Sequence, residues 1–404
     1  MNQRQLSEIE KRRHRKACFD ALQPYFREAI FEEGKIDFSS LGEEEKGKLV
    51  DAAIDTNNAP LFLYYFQKHL STEQKKHLLP FAVHRESYSM LQQNVLYKIR
   101  DAMKKANIEF VAIKGADIGF RCYPAPYLRY MCDIDLLFHK RDIEAAQNVL
   151  SQLGWKRCGN KDNGYHDGSW KYGKLYLEPH YNISGISQKY SEELWNYVRH
   201  TSDGLPVFSP ELSFLTIFQH LEKTRWGERD TLRFKLDCAY FLKHEKLNYQ
   251  KLHDLEEKFN LPDARIFPLA FSDFIPEKLV PTETPVNRDL LETYRYLVTH
   301  AGEDFPFDNA KATMIYGKFF LKGSMKTNLY TLTYRGICEK YHLNPKHSHW
   351  KYPFYFMLDA VKKLKKLIQH FVFKDREQPK EVVEFINKMK HYRDITKQDS
   401  QFAE

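Results

Sequence analysis

Two aspartates, Asp133 and Asp135, stand one residue apart in an otherwise apolar stretch, Cys-Asp-Ile-Asp-Leu-Leu-Phe. In a β-strand, alternate side chains point to the same face, so these two carboxylates would lie side by side and repel each other. A cation between them would relieve the repulsion; without one, the pKa of one carboxyl group rises. Mg²⁺ takes hard oxygen ligands and leaves positions for water and phosphate. The spacing therefore fits a divalent-metal site, although a solvated strand end is the simpler alternative for these two residues alone.

Other candidate groups lie before and after this pair. Glu178 and His180 alternate on a predicted strand over residues 174–183, so Glu178 offers a third carboxylate. Lys114 and Gly115 follow a short β-rich run, where N–H groups at a helix start could hold phosphate oxygens and the ammonium could neutralise them. Three carboxylates near a phosphate-binding turn suit two-metal phosphoryl transfer. A salt bridge from Lys114 to an aspartate, and a structural hydrogen bond for His180, remain alternatives.

The elements that must position these residues form a compact pattern in the middle of the chain. Residues 108–113 and the Asp-Ile-Asp-Leu-Leu stretch are predicted as strands. The periodic apolar residues of 140–155 predict a helix that begins near Asp142 and ends at Gly154. A polar, glycine-rich loop or hairpin over residues 160–174 precedes the third strand. A two-turn helix is predicted after the first strand, so the order strand, helix, strand, helix, strand indicates an α/β unit.

Residues 110–155 resemble the core of the uncharacterised nucleotidyltransferase family, a branch of the polymerase β-like nucleotidyltransferase superfamily. The shared features are Lys-Gly after the first strand, Tyr-Pro, Arg129 before the Asp-Ile-Asp-Leu-Leu strand, and a helix that ends at Gly-Trp. The Leu-Glu-Pro-His run at 177–180 resembles a later strand of the family. Three residues of later helices also match: His220, Arg233 and Asp237. The resemblance covers roughly residues 75–245.

This resemblance implies an α+β fold with a small mixed sheet flanked by helical regions. It also implies transfer of a nucleoside monophosphate from an NTP such as ATP to an unknown hydroxyl or phosphate acceptor, with Mg²⁺ or Mn²⁺ as cofactor. The implied catalytic residues and metal ligands are Asp133, Asp135 and Glu178. The implied nucleotide contacts are Lys114, Gly115 and Arg129. His180 would contact the substrate or orient a carboxylate.

Some features leave alternatives open. The usual Gly-Ser of the wider superfamily is Lys-Gly here, so the serine that contacts phosphate is missing. Arg129 could be an ion-pair brace instead of a phosphate clamp. Arg233 and Asp237 are four residues apart on one helix face, and we interpret them, with His220, as a buried polar brace between domains. A catalytically silent nucleotide-binding or regulatory protein is the second hypothesis, although the intact acids argue against it.

The remaining chain is predicted to be mainly helical. We expect an N-terminal helical region at 1–106, the nucleotidyltransferase core at 107–190, a helical domain at 191–350 and basic amphipathic helices at 351–404. Within the last region, residues 354–373 place lysines opposite an apolar stripe. Such a helix could contact an anionic membrane peripherally or pack on the protein's own core.

The composition is that of a folded protein from a reducing compartment. The 404 residues are 42% hydrophobic and 15% aromatic, enough for a substantial core. The net charge of +8 permits anionic partners without requiring them. The 6 cysteines show no CxxC spacing, and no apolar run is long enough to span a bilayer. We therefore predict a cytoplasmic protein, either free or attached peripherally to a membrane. No disulfide partner is expected.

Overall fold

A computed structural model describes residues 8–34, 36–158, 166–224, 231–280, 286–300, 357 and 380–396. The chain divides into two compact units, Met1–Glu303 and Asp304–Glu404. In the second unit, the described helix spans Lys380–Thr396. The helix predicted at 354–373 lies, apart from Met357, outside the described residues. The predicted boundaries at residues 106, 190 and 350 stay predictions.

The first unit is built around a mixed sheet. Its strands are β1 Phe110–Ala112, β2 Ile134–Phe138, β3 Lys156–Arg157, β4 Trp170–Tyr172, β5 Leu175–His180, β6 Val198–His200 and β7 Pro206–Phe208. Within the described residues the sheet has seven strands in the order β3-β4-β5-β2-β1-β7-β6. β2 is parallel to β5 and antiparallel to β1, and β1 is parallel to β7. The α+β fold with a mixed sheet is thus confirmed.

The sheet is larger than the three strands that the sequence predicted. β6 and β7 extend it beyond residue 190, in a segment that was expected to be helical. Both strands have three residues, and β3 has two, so they are too short to show an alternating pattern. Their places in the sheet come from pairing with distant strands, as β7 does with β1.

Helices make up most of the remaining described residues of this unit. They are α1 Glu8–Phe31, α2 Glu43–Asp55, α3 Ala59–Phe66, α4 Thr72–Lys105, α5 Gly115–Arg121, α6 Ile143–Gln152, α7 Pro210–Lys223, α8 Thr231–His244, α9 Tyr249–Phe259, α10 Ile266–Ala270 and α11 Arg288–His300. As predicted, α6 begins directly after Asp142, and Gly154 follows it at a φ of +88° that favours glycine. Among the described residues, none of the helices has the length and apolar composition needed to cross a membrane.

One face of the sheet forms the hydrophobic core with α4 and α6. Ile134 and Leu136 of β2 and Leu177 of β5 are fully buried in it. The helices contribute Val95, Leu96, Ile99, Met103, Ala146 and Leu150. Burial of these apolar faces fixes the register of the strands, since a slip by one residue would turn every apolar side chain outward.

The opposite face carries the polar residues of the same strands. Because side chains alternate along a strand, Asp135 and Glu178 point away from the core formed by their apolar neighbours. The parallel register pairs Asp135 with Glu178 and Leu137 with His180. Packing of one face therefore brings the acids of β2 and β5 together on the other.

Candidate active site

Three side chains of β2 and β5 converge on this polar face: Asp135, Glu178 and His180. Their potential ligand atoms all lie within 4.8 Å of one another. The Nε2 atom of His180 lies 2.7 Å from Oδ1 of Asp135 and 3.7 Å from Oε2 of Glu178. The Nζ atom of Lys114 donates to the same Asp135 oxygen at 2.8 Å. These four side chains form what we call the carboxylate cluster.

The protonation of the carboxylate cluster follows from its burial and its lysine. Burial acts to raise the pKa of Asp135, but the charge of Lys114 and the hydrogen bond from His180 outweigh it and hold that pKa well below its usual range. The pKa of His180 falls to about 3, first through burial and then through the charge of Lys114. A neutral His180 beside an ionised Asp135 must donate its Nε2–H to the carboxylate.

Asp133 lies one residue before β2 and outside the group of three. Burial, and then the charge of Asp135, raise the pKa of Asp133 to about 7. The charges of Lys114 and Arg233 act in the opposite direction but do not cancel this shift. A raised carboxyl pKa marks a place with excess negative charge, which a bound cation would relieve. The metal-binding role of Asp133 stays a prediction.

This raised pKa predicts a pH-dependent stability when divalent cations are absent. The folded-state pKa of about 7 exceeds the unfolded value of about 3.9, so the folded state holds more protons between those values. The contribution of Asp133 to stability therefore falls as pH rises through this window. In urea unfolding with EDTA, the wild type should lose more stability between about pH 5 and about pH 8 than Asp133→Asn. Equal losses of stability in the two proteins would show that Asp133 does not titrate in this pH range.

Lys114 connects β1 to α5 in an unusual conformation. Its φ of +53° and ψ of −121° belong to a region that L-residues rarely occupy, at a cost of about 1–3 kcal/mol. Its side chain forms a partly buried ion pair with Asp135, and its carbonyl accepts from the N–H of Ile118 at 2.9 Å. Of the two alternatives from the sequence, the salt bridge is present, and the phosphate contact stays a prediction.

Gly115 begins α5 in a crowded place. A Cβ atom there would collide with the guanidinium of Arg129 and lie 2.9 Å from the Met131 sulfur. The N–H of Ala116, the next residue, donates to the carbonyl of Ile113 at 3.2 Å. Close packing alone thus requires glycine here, and the nucleotide contact predicted for Gly115 stays a prediction.

Gly115→Ala is therefore expected to lower the free energy of unfolding by about 1–3 kcal/mol, as overpacking of a dense core does. Gly47→Ala in α2 is the matched control, because nothing lies within 4 Å of the added Cβ. Alanine should raise helix stability there by about 0.5–1 kcal/mol. Urea unfolding measures both, and a Gly115→Ala protein as stable as the wild type would contradict the close packing.

Arg129 forms a buried ion pair with Asp237 of α8. Its Nε and Nη2 atoms donate to the two carboxylate oxygens of Asp237 at 2.7 and 2.8 Å. The hydroxyl of Tyr123 donates to Asp237 at 2.8 Å. Asp237 is thus paired with Arg129, and the geometry matches the ion-pair alternative for Arg129. Its predicted nucleotide contact stays a prediction.

Two residues of the hairpin before β5 contact Glu178. Neither was predicted as a site residue from the sequence. The hydroxyl of Ser169 donates to Oε1 of Glu178 at 3.1 Å. The Nε2 atom of His166 lies 3.7 Å from Oε2 of Glu178, and His166 forms a β-bridge with His180. The antiparallel pairing of β4 with β5 places both residues there. The signal was available in the predicted hairpin, whose register the sequence left open.

Two residues of α7 lie within electrostatic range of the carboxylate cluster. Burial, and then the charge of Lys114, lower the pKa of Lys223 to about 8. The same two causes hold the pKa of His220 well below its usual range. The charge of Asp135 opposes both shifts. Lys223 is a second cation near the acids that the sequence did not single out, and His220 is neutral at physiological pH.

Comparison with known families decides the class of the chain. Residues 43–266, more than half of the sequence, match the family described as uncharacterised nucleotidyltransferase. The chain belongs to this family. The sequence prediction of a nucleotidyltransferase enzyme is thereby confirmed, over a longer segment than the one predicted. No curated protein matches the sequence.

Two solved structures of ANT(2'')-Ia are similar to part of this nucleotidyltransferase. The first is the solution structure of that antibiotic-resistance factor, with 15% identity and a TM-score of 0.33 over 42% of this chain and 92% of the other. The second is its crystal structure in complex with adenylyl-2''-tobramycin, with 17% identity and a TM-score of 0.31 over 42% and 97%.

Proposed function

We propose that this nucleotidyltransferase moves a nucleoside monophosphate from an NTP to a hydroxyl or phosphate acceptor with the help of Mg²⁺ or Mn²⁺. The observation that carries the proposal is the carboxylate cluster, where Asp135, Glu178 and His180 meet beside the partly buried Lys114. Family membership gives the reaction class.

The residues present fit a divalent cation. Asp135 is ionised, and the pKa of Asp133 near 7 marks negative charge that Lys114 alone does not balance. Carboxylate oxygens suit Mg²⁺ and Mn²⁺. Asp133, Asp135 and Glu178 would hold the metal, with His180 next to them. When bound, such ions lower the pKa of an attacking hydroxyl and neutralise charge on the phosphates.

The protein groups have separate tasks in the proposed reaction. The acceptor oxygen bonds to the α-phosphorus, the bond from that phosphorus to the bridging oxygen breaks, and pyrophosphate leaves. Glu178 takes the proton of the acceptor; its side chain is 22% exposed and Ser169 positions it by a hydrogen bond. Lys114 and Lys223 balance triphosphate charge near the acids. His180, which stays neutral, orients Asp135 by donating a hydrogen bond.

Calorimetry with ATP, GTP, CTP and UTP, each with and without Mg²⁺, tests the nucleotide site. We expect at least one NTP to bind in the presence of Mg²⁺ and to bind at least about tenfold more weakly in EDTA, a difference of about 1.4 kcal/mol. Failure of all four to bind with Mg²⁺ would contradict the proposal. Binding without turnover of any acceptor would favour the silent regulatory alternative.

A further inference from the structure

A second group of metal-ligating side chains lies between α1 and α2. His14 and Cys18 are one turn apart on α1, and Asp55 is the last residue of α2. The Nε2 atom of His14 lies 2.7 Å from Oδ2 of Asp55 and 3.6 Å from the Cys18 sulfur. The three potential ligand atoms lie within 4.8 Å of one another. None of these residues belongs to the carboxylate cluster.

Both contacts of His14 meet at the same ring nitrogen. A nucleophile–histidine–acid arrangement uses the two ring nitrogens separately, one for each partner. One nitrogen carries either a proton or a lone pair, so hydrogen bonding through it serves one partner well at a time. The sulfur, the nitrogen and the oxygen all lie within 4.8 Å of one another, as ligand atoms around a single ion do.

The distance between the Cys18 sulfur and the His14 nitrogen is close to that in a tetrahedral zinc site. Zn–S and Zn–N bonds of about 2.3 and 2.0 Å place the two ligand atoms about 3.5 Å apart. The Cys18 sulfur and the His14 nitrogen are 3.6 Å apart. The His14 and Asp55 atoms, which lie 2.7 Å apart, would separate to about 3.3 Å around the ion.

We propose that His14, Cys18 and Asp55 bind a transition-metal ion, foremost Zn²⁺, which ties α1 to α2. A thiolate, an imidazole and a carboxylate form a ligand set that suits Zn²⁺ and not Mg²⁺. Three protein ligands leave the fourth position to water. This site is separate from the proposed transfer reaction and does not depend on it.

Two acidic side chains, Asp55 and Asp51, act electrostatically on Cys18. Burial, and then the charge of Asp55, raise the pKa of the Cys18 thiol to about 11, with Asp51 adding to the shift and Arg15 opposing it. Without an ion the thiol therefore keeps its proton. A coordinating thiol is deprotonated, so metal binding would release a proton and strengthen as pH rises.

Cobalt binding to the full-length chain tests this site. Co²⁺ bound by a thiolate gives a sulfur-to-metal charge-transfer band, which Zn²⁺ should abolish by displacement. We expect the band in the wild type and its loss in Cys18→Ser. His14→Gln alters a side chain that is 54% exposed, so it keeps the variant set informative if Cys18→Ser folds poorly. Loss of a residue that only hydrogen-bonds to a metal ligand lowers metal affinity by about 10- to 100-fold. Loss of the ligand itself in His14→Gln should lower the affinity by at least as much.

Two exposed cysteines, Cys132 and Cys158, supply the controls. Cys132→Ser and Cys158→Ser should keep the band. Zn²⁺ should also raise the melting temperature of the wild type, but not that of His14→Gln, because an ion that binds only the folded state stabilises it. Absence of the band in the wild type, its survival in Cys18→Ser, or its loss in Cys132→Ser, next to Asp133, would overturn the proposal.

Discussion

Asp135→Asn is expected to lower the rate of nucleotidyl transfer by at least about a thousandfold, equivalent to about 4 kcal/mol of activation free energy. Asp135 is the ionised carboxylate that contacts both Lys114 and His180. Its loss removes negative charge needed to hold a divalent cation, and the contribution of such cations to phosphoryl transfer is large. Initial rates of pyrophosphate release, measured with NTP, Mg²⁺ and an acceptor-containing extract, give the effect.

The controls separate chemistry from folding. Asp135→Asn also breaks the partly buried ion pair with Lys114, so unfolding must be measured on the same protein. Glu178→Gln keeps the shape of a partly exposed side chain and an oxygen that can accept from Ser169, and we expect a similar loss of rate with little loss of stability. Asp142→Asn, just before α6 and outside the cluster, should transfer at the wild-type rate. If folded Asp135→Asn transferred at the wild-type rate, Asp135 would have no role in catalysis.

Arg129→Met is expected to lower the free energy of unfolding by about 3–5 kcal/mol. Removal of one partner from a buried ion pair leaves an uncompensated charge in the interior. Arg129 is 7% exposed and Asp237 is 1% exposed, and two hydrogen bonds join them. Urea unfolding measures the loss. Tyr123→Phe, which removes a single hydrogen bond to Asp237, should cost only about 1 kcal/mol.

A double-mutant cycle separates the ion pair from other roles of Arg129. Asp237→Asn combined with Arg129→Met should lose clearly less stability than the sum of the single changes, because each single change leaves the other group unpaired. Additive losses would mean that the two groups are not coupled. If Arg129 also contacts the triphosphate, as the sequence predicts, the KM for NTP should rise in folded Arg129→Lys.

The acids of β2 and β5 could be found in the sequence because strand alternation is a local pattern. Asp135 and Glu178 occupy positions between apolar residues, and burial of those residues decides which way the acids face. The helix α6 was likewise predictable from its periodic apolar residues and from Gly154.

What the sequence did not provide depends on contacts between distant residues. Arg129 and Asp237 are 108 residues apart. The partner that the sequence suggested for Asp237 was Arg233, four residues earlier on the same helix. His166 reaches His180 only through the register of a hairpin. β6 and β7 are too short for periodicity to show. The His14, Cys18 and Asp55 group requires α1 to pack on α2, which no local pattern encodes.

The most direct test of metal-dependent transfer at the carboxylate cluster is an extract screen with α-labelled NTPs. The wild-type chain and the Asp133→Asn/Asp135→Asn double variant are compared, each with Mg²⁺ and with EDTA. We expect the wild type to label an acceptor only when Mg²⁺ is present, and the folded double variant to label none. Transfer of label by the double variant at the wild-type rate would contradict the assignment of the reaction to these acids.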